Sequence, residues 1–297
     1  MLRTGAWTDR LWAMTPMRMR KTIIGATAAL ALVPASSALA ATISGGPGNE
    51  HLKGTNFADV IDGNAGNDHI YGRGGDDRLV GGPGNDRIWG GAGNDTILGV
   101  QGNDWLYGGP GDDTIVGDTN NAGDRTSFDH LFGGAGNDTL RGGDSRDHIS
   151  GGSGNDKSYG ENGNDIMSGG SGDDVQDGGP GNDRIYANLG VDTTYGGDGN
   201  DDLWALARGD VHPGPNGEVD QIGDTLDGGN GNDTFHTRDG EVDRITCGPG
   251  YDTALLDNVD VITDATAANP NGSCEKVVRK DPKPSESKSE DRHSDQA

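Results

Sequence analysis

The chain has 297 residues, 55 of them glycine, and a formal net charge of −25. Leu, Ile, Val and Phe together fall below the roughly 20% expected of a globular core, so composition alone describes a disordered polymer. So acidic a chain repels nucleic-acid phosphates and anionic membranes and favours cations as partners, which excludes the first two classes and points to a metal.

Arg18, Arg20 and Lys21 precede the apolar run from Ile23 to Val33, and Ala38-Leu39-Ala40 follows. These are the three parts of a secretory signal peptide, expected over residues 1–40 with cleavage after Ala40. The alternative, a membrane anchor, needs roughly 20 apolar residues, more than this run supplies. Met17 and Met19 offer later starts for translation. The protein is therefore expected to be secreted, with no membrane insertion after cleavage.

From Gly45 the chain repeats every nine residues, as in Gly81-Gly-Pro-Gly-Asn-Asp-Arg-Ile-Trp89. Eight copies run through Val116 and eight more from Gly133 through Trp204; a last clear copy spans Gly228 to His236. Position 6 is Asp in fifteen of the sixteen block copies, the exception being Glu50, and position 4 is Gly in fourteen, the exceptions being Phe57 and Ser145. This period rescues the chain from disorder, because stacked copies can bury the aliphatic at position 8 as one column. Insertions at 117–132 and 205–227 close in register with Asp129-His-Leu-Phe132 and Asp224-Thr-Leu-Asp227. Both sit where a solenoid tolerates extra length.

Within a copy, glycine permits sharp turns and leaves carbonyls uncovered, and the aspartate adds a carboxylate beside them. Six to eight hard oxygens at flexible geometry suit Ca2+ better than Mg2+, which demands a tighter octahedron. The last three residues read as a strand whose middle side chain faces inward.

The repeats resemble the Gly-Gly-x-Gly-x-Asp-x-U-x nonapeptides of the RTX, or haemolysin-type, calcium-binding family over about residues 45–236. The resemblance implies an all-β protein: a parallel β-roll, or right-handed β-solenoid, with two repeats per turn and multiple Ca2+ between stacked turns. The implied metal ligands are Asp59, Asp68, Asp77, Asp86, Asp95, Asp104, Asp113, Asp138, Asp147, Asp156, Asp165, Asp174, Asp183, Asp192, Asp201 and, more weakly, Asp233. Glu50 and Ser145 depart from the pattern. The N-terminal signal also departs from family members exported by a C-terminal signal.

A turn of eighteen residues puts Leu52, Ile70, Ile88 and Leu106 in one inner column and Ile61, Leu79, Ile97 and Ile115 in the other. In the second block Ile149, Met167, Ile185 and Leu203 face Leu140, Ser158, Gln176 and Thr194. Weaker or more calcium-dependent order is expected between about residues 151 and 195. Outside, Tyr71, Trp89 and Tyr107 stack in one column and Val80, Leu98 and Val116 on the opposite sheet. The aromatic column could hold an extracellular polysaccharide or a surface protein, as in a calcium-stabilised adhesin or matrix protein; cross-strand packing is the plainer reading. His51 with His69, and His130 with His148, are read as a solvated face rather than a transition-metal site.

After Asp239 the pattern dissolves, and residues 237–279 read as a C-terminal cap on the exposed end of the stack. They hold Cys247 and Cys274, the only cysteines, expected as one disulfide in an exported protein; two free thiols or an intermolecular bridge are the alternatives. Residues 280–297 are polar and proline-punctuated and read as a disordered tail. Almost all of the mature chain is repeat, cap or tail, so no catalytic pocket is expected and the protein is read as non-enzymatic.

Overall fold

A computed structural model describes residues 39–118, 127–205 and 223–280. The signal sequence up to residue 38, the tail beyond Lys280 and the centres of both insertions lie outside the described residues. Twenty-four strands, from Thr42–Ser44 to Lys276–Arg279, alternate between two sheets and include no helix among the described residues. Each sheet has twelve strands, all parallel, and successive strands in the chain belong to opposite sheets. The result is the expected β-solenoid of two nonapeptides per turn.

Register follows the nine-residue period. Ile70 pairs with Ile88 and Ile88 with Leu106 on the second sheet, while Ile61 pairs with Leu79 and Leu79 with Ile97 on the first. These position-8 side chains are fully buried, because alternate residues of a strand point to opposite faces. Strands are longer than the expected three residues. Arg87–Ala92 runs on through the first glycines of the next copy, so positions 1 and 2 also join the ladder.

Both insertions leave the register intact. His130 pairs with Trp105 across 25 residues and Thr225 with Thr193 across 32, so Leu131 and Leu226 continue the inner columns. Residues 237–279, read as a separate cap, extend the same two sheets: Arg244–Thr246, Thr253–Leu256, Val261–Ile262 and Lys276–Arg279 each pair with the strand one turn earlier. Cys247 and Cys274 form a disulfide there. The inner column of the first sheet contains Ser158, Gln176 and Thr194, all buried, where the first block has aliphatics.

Candidate metal centre

The loop before each strand brings position 6 inside. Asp86 precedes the strand Arg87–Ala92 and is fully buried, with its Oδ1 accepting the amide of Asp68 one turn earlier at 2.7 Å. Its own amide donates to Oδ1 of Asp104 one turn later, also at 2.7 Å. Aspartate thus hands its amide forward and its carboxylate backward, and the same pair of bonds repeats turn after turn.

The ladder forms two columns. Loops entering the first sheet carry Asp59, Asp77, Asp95, Asp113, Asp138, Asp156, Asp174 and Asp192. Loops entering the second carry Asp68, Asp86, Asp104, then Asp147, Asp165, Asp183, Asp201 and Asp233. Every sequence-predicted aspartate therefore falls in one of the two columns.

The columns also contain members that the repeat count passes over. Asp129 sits between Asp104 and Asp147; Asp224 and then Asp243 follow Asp192; Asp252 follows Asp233 and donates to Glu275 Oε2. For Asp129 and Asp224 the signal was the Asp-x-aliphatic triplet that closes each insertion. Glu50 is also in place: its amide donates to Asp68 Oδ1, while its own carboxylate accepts the amide of Gly46. A second ladder, missed in the sequence, runs alongside on position 5 with opposite sense. The amide of Asn85 donates to Asn67 Oδ1 and that of Asn103 to Asn85 Oδ1, each at 3.0 Å.

One carboxylate oxygen per turn is left over. Oδ2 of Asp86, Asp95, Asp104 and most other ladder aspartates is buried with no hydrogen-bond partner. It lies against the glycine at position 1 of its own copy: a Cβ added to Gly81 would meet Asp86 Oδ2 at 2.2 Å and the carbonyl oxygen of Gly99, in the next turn, at 2.9 Å. Glycine is needed because carboxylate and carbonyl oxygens fill the room a side chain would take. Burying an unpaired carboxylate is costly, and the aspartates respond by holding their protons. Desolvation first, and then the neighbouring aspartates, push Asp86 up to about 7, and Asp104, Asp147 and Asp192 to about 9. Nearby charge from Asp129 adds to the first two of these three, and that from Asp224 to the third.

A cation would replace those protons. Among the described residues no group of three His, Cys, Asp or Glu side chains is placed to hold a metal ion by itself, so an ion would draw on backbone carbonyls as well as carboxylates. Stacked aspartate Oδ2 atoms beside uncovered glycine carbonyls are a hard, all-oxygen donor set, which fits Ca2+.

The outer face of the second sheet is aromatic. Tyr71, Trp89, Tyr107 and Phe132 stack with centroids 4.6, 5.6 and 4.8 Å apart and planes within 6° of parallel. Each inner ring of this ladder has both faces against its neighbours, which is the cross-strand packing reading. Beside it, His130 lies 3.9 Å from Trp105 and its Nδ1 is 3.4 Å from Nδ1 of His148. His148 is buried, not solvated as expected. Burial pushes both imidazoles below the ordinary histidine range, His130 to about 4.

The model of the RTX calcium-binding nonapeptide repeat (4 copies) matches residues 44–79, 71–104, 89–121, 126–158, 159–176, 169–203 and 223–253. No curated protein matches the chain. With matches over more than half its length, and with the stacked Asp-Gly turns that the motif describes, the chain belongs to the RTX calcium-binding repeat family.

Proposed function

We propose that this is a secreted, non-enzymatic calcium-binding protein whose β-roll orders when multiple Ca2+ ions take up the stacked position-6 carboxylates. The observation that carries this reading is the buried, unpartnered Oδ2 repeated along both columns. Two consequences follow from electrostatics. Without a cation, ionised carboxylates one turn apart repel each other in a desolvated loop, and the thin core of one aliphatic per copy opposes that repulsion weakly. With Ca2+, metal affinity becomes folding free energy, as for other sites that do not exist in the unfolded chain.

Secretion is supported by the signal-like sequence at residues 1–40 and by the Cys247–Cys274 disulfide, which suits an oxidising compartment. Export would then couple to folding, with low calcium inside leaving the chain loose and higher calcium outside ordering it. A polysaccharide or surface-protein partner on the aromatic column is the alternative reading, but the ladder uses the faces of its own inner rings and leaves a sugar mainly their edges. The test is circular dichroism during calcium titration of EGTA-treated protein. A rise in β signal is expected, and its absence would refute the proposal.

A further inference from the structure

Two histidines on the outer face of the second sheet meet nitrogen to nitrogen. His130 and His148 stand in direct register on adjacent strands, on the side opposite the core residues Leu131 and Ile149. Nδ1 of one ring lies 3.4 Å from Nδ1 of the other, with the ring planes at 87°. Ordinary protein hydrogen bonds are shorter, most of them about 2.9–3.0 Å. The observed separation is instead the edge of a tetrahedral zinc site. Two nitrogens, each roughly 2.0–2.1 Å from the metal and at the tetrahedral angle to each other, stand about 3.3–3.4 Å apart.

Aromatic neighbours hold both rings in place. Trp105 stacks on His130 with centroids 3.9 Å apart, Phe128 meets the same imidazole edge-on at 4.6 Å, and Phe132 meets His148 at 6.2 Å with planes 86° apart. His148 is only 8% exposed. Ligands whose rotamers are locked by packing have little freedom left to lose when a metal arrives. The donors also differ from those of the loops. The outward residues beside the pair, Trp105, Phe132, Ser150 and Ile166, include no carboxylate. Imidazole nitrogen suits zinc, copper and nickel, whereas calcium takes oxygen. His51 and His69 share the same register, but His51 is exposed on the edge strand and the two rings meet edge-on with centroids 4.6 Å apart.

We propose that Nδ1 of His130 and Nδ1 of His148 form a binding site for a divalent transition metal of the zinc class, with water completing the tetrahedron. The site is distinct from the aspartate columns in place and in chemistry: it lies on the outer face of the sheet and draws on nitrogen. Arg146 opposes it, since its guanidinium lies 5.8 Å from the centre of the Phe128 ring and its charge acts on His148. Two protein ligands and an adverse charge make this an exchangeable site, unlike a closed structural site with four protein ligands.

Isothermal titration of zinc into full-length protein, held in saturating calcium at about pH 8 where ordinary histidine is neutral, tests it. Wild type is expected to bind a zinc ion whose affinity falls roughly tenfold or more in His148→Asn, because a lost ligand costs at least as much as a lost outer-shell partner. His69→Asn is expected to leave that affinity unchanged. Arg146→Gln keeps both imidazoles and removes the opposing charge, so it is expected to tighten the same zinc roughly twofold or more. It decides the matter even if His148→Asn does not fold. The proposal is overturned by a wild type that binds no zinc, by equal affinity in wild type and folded His148→Asn, by a loss in His69→Asn as large as that in His148→Asn, or by Arg146→Gln binding no more tightly than wild type.

Discussion

Asp86 donates its amide to Oδ1 of Asp104 one turn away, at 2.7 Å, while Oδ2 of Asp104 stays buried with no partner. One oxygen of each ladder carboxylate therefore belongs to the polypeptide and the other is available to a cation. Two substitutions at Asp86 separate these roles. Asp86→Ala strips the acceptor from the buried amide of Asp68 and is expected to cost about 1–3 kcal/mol with or without calcium. Asp86→Asn keeps that acceptor and removes the charge, so it should leave the calcium-free chain no less ordered while raising the calcium needed for the circular-dichroism transition. Equal calcium midpoints for Asp86→Asn and wild type would refute the split.

The position-1 glycine Gly81 should be far less replaceable than Gly74 at position 3 of its copy. A Cβ on Gly81 would fall 2.2 Å from Asp86 Oδ2 and 2.9 Å from the Gly99 carbonyl, whereas one on Gly74 would meet nothing closer than the Ala92 carbonyl at 3.6 Å. Gly81→Ala is expected to cost roughly 1–3 kcal/mol as an overpacked site, and Gly74→Ala to stay within about 1 kcal/mol of wild type. Thermal melts in saturating calcium decide this, and comparable losses at both positions would count against the oxygen-filled loop.

What the sequence made legible was what the period controls. A repeat of nine, doubled to eighteen, places Ile70 over Ile88 and Asp68 over Asp86 without further information, and the structure has both pairs. Asp129 and Asp224 escaped the ligand count because each lies at the end of an insertion whose length hides the register, although the triplets Asp129-His-Leu and Asp224-Thr-Leu carry it. Asp243 and Asp252 escaped because the surrounding glycines thin out there, while the strand and its preceding carboxylate persist. The position-5 ladder was hidden in plain recurrence: Asn67, Asn85 and Asn103 are eighteen apart, but an amide's hydrogen bond to the next turn has no sequence signature beyond that spacing. The burial of His148 depends on Phe132 and His130 packing across strands, and period alone does not give the depth of an outward side chain.

Acid should partly substitute for calcium. In the folded state desolvation raises Asp77, Asp95 and Asp138 to about 6, Asp86, Asp113 and Asp156 to about 7, and Asp104 and Asp147 to about 9. Unfolded aspartate titrates near 3.9, so between about pH 4 and these values the folded chain binds more protons and loses stability as pH rises. The stabilisation is fully present below about pH 4 and is lost progressively through pH 6–9. Calcium-free protein is therefore expected to gain β signal on lowering the pH from 9 to 5, and calcium binding near pH 7 should release protons. A calcium-free β signal that falls over that acid titration would contradict the buried, proton-holding carboxylates.

The polar stretch of the first sheet's inner column should be improvable. Gln176 is buried, its Nε2 has no partner, and its Oε1 receives only the long 3.4 Å bond of Thr194 Oγ1. Gln176→Leu replaces an unsatisfied amide by an aliphatic of similar size in line with Leu140, which should stabilise by about 1–3 kcal/mol. A higher melting temperature and slower hydrogen exchange across residues 151–195 are expected, relative to wild type in the same calcium. Unchanged or faster exchange there would show that the column is already satisfied.

The disulfide should secure the last turn rather than the whole roll. Cys247 opens the loop of Asp252, and Cys274 precedes Glu275, whose carboxylate accepts the Asp252 amide at 2.7 Å. Closing a loop over a separation of 27 residues contributes about 3.5 kcal/mol in the chain-entropy estimate. Removing it releases Lys276–Arg279 from Thr253–Leu256, at the edge of the second sheet. Cys247→Ser/Cys274→Ser, or reduction of the wild type, is therefore expected to lose hydrogen-exchange protection first over 253–256 and 276–279. Protection around Asp86 and Ile88, nine turns away in the same sheet, should persist in saturating calcium because its stacking partners are unchanged. Simultaneous loss at both ends would mean that the roll opens as one cooperative unit, against the nearest-neighbour stability of a stacked repeat.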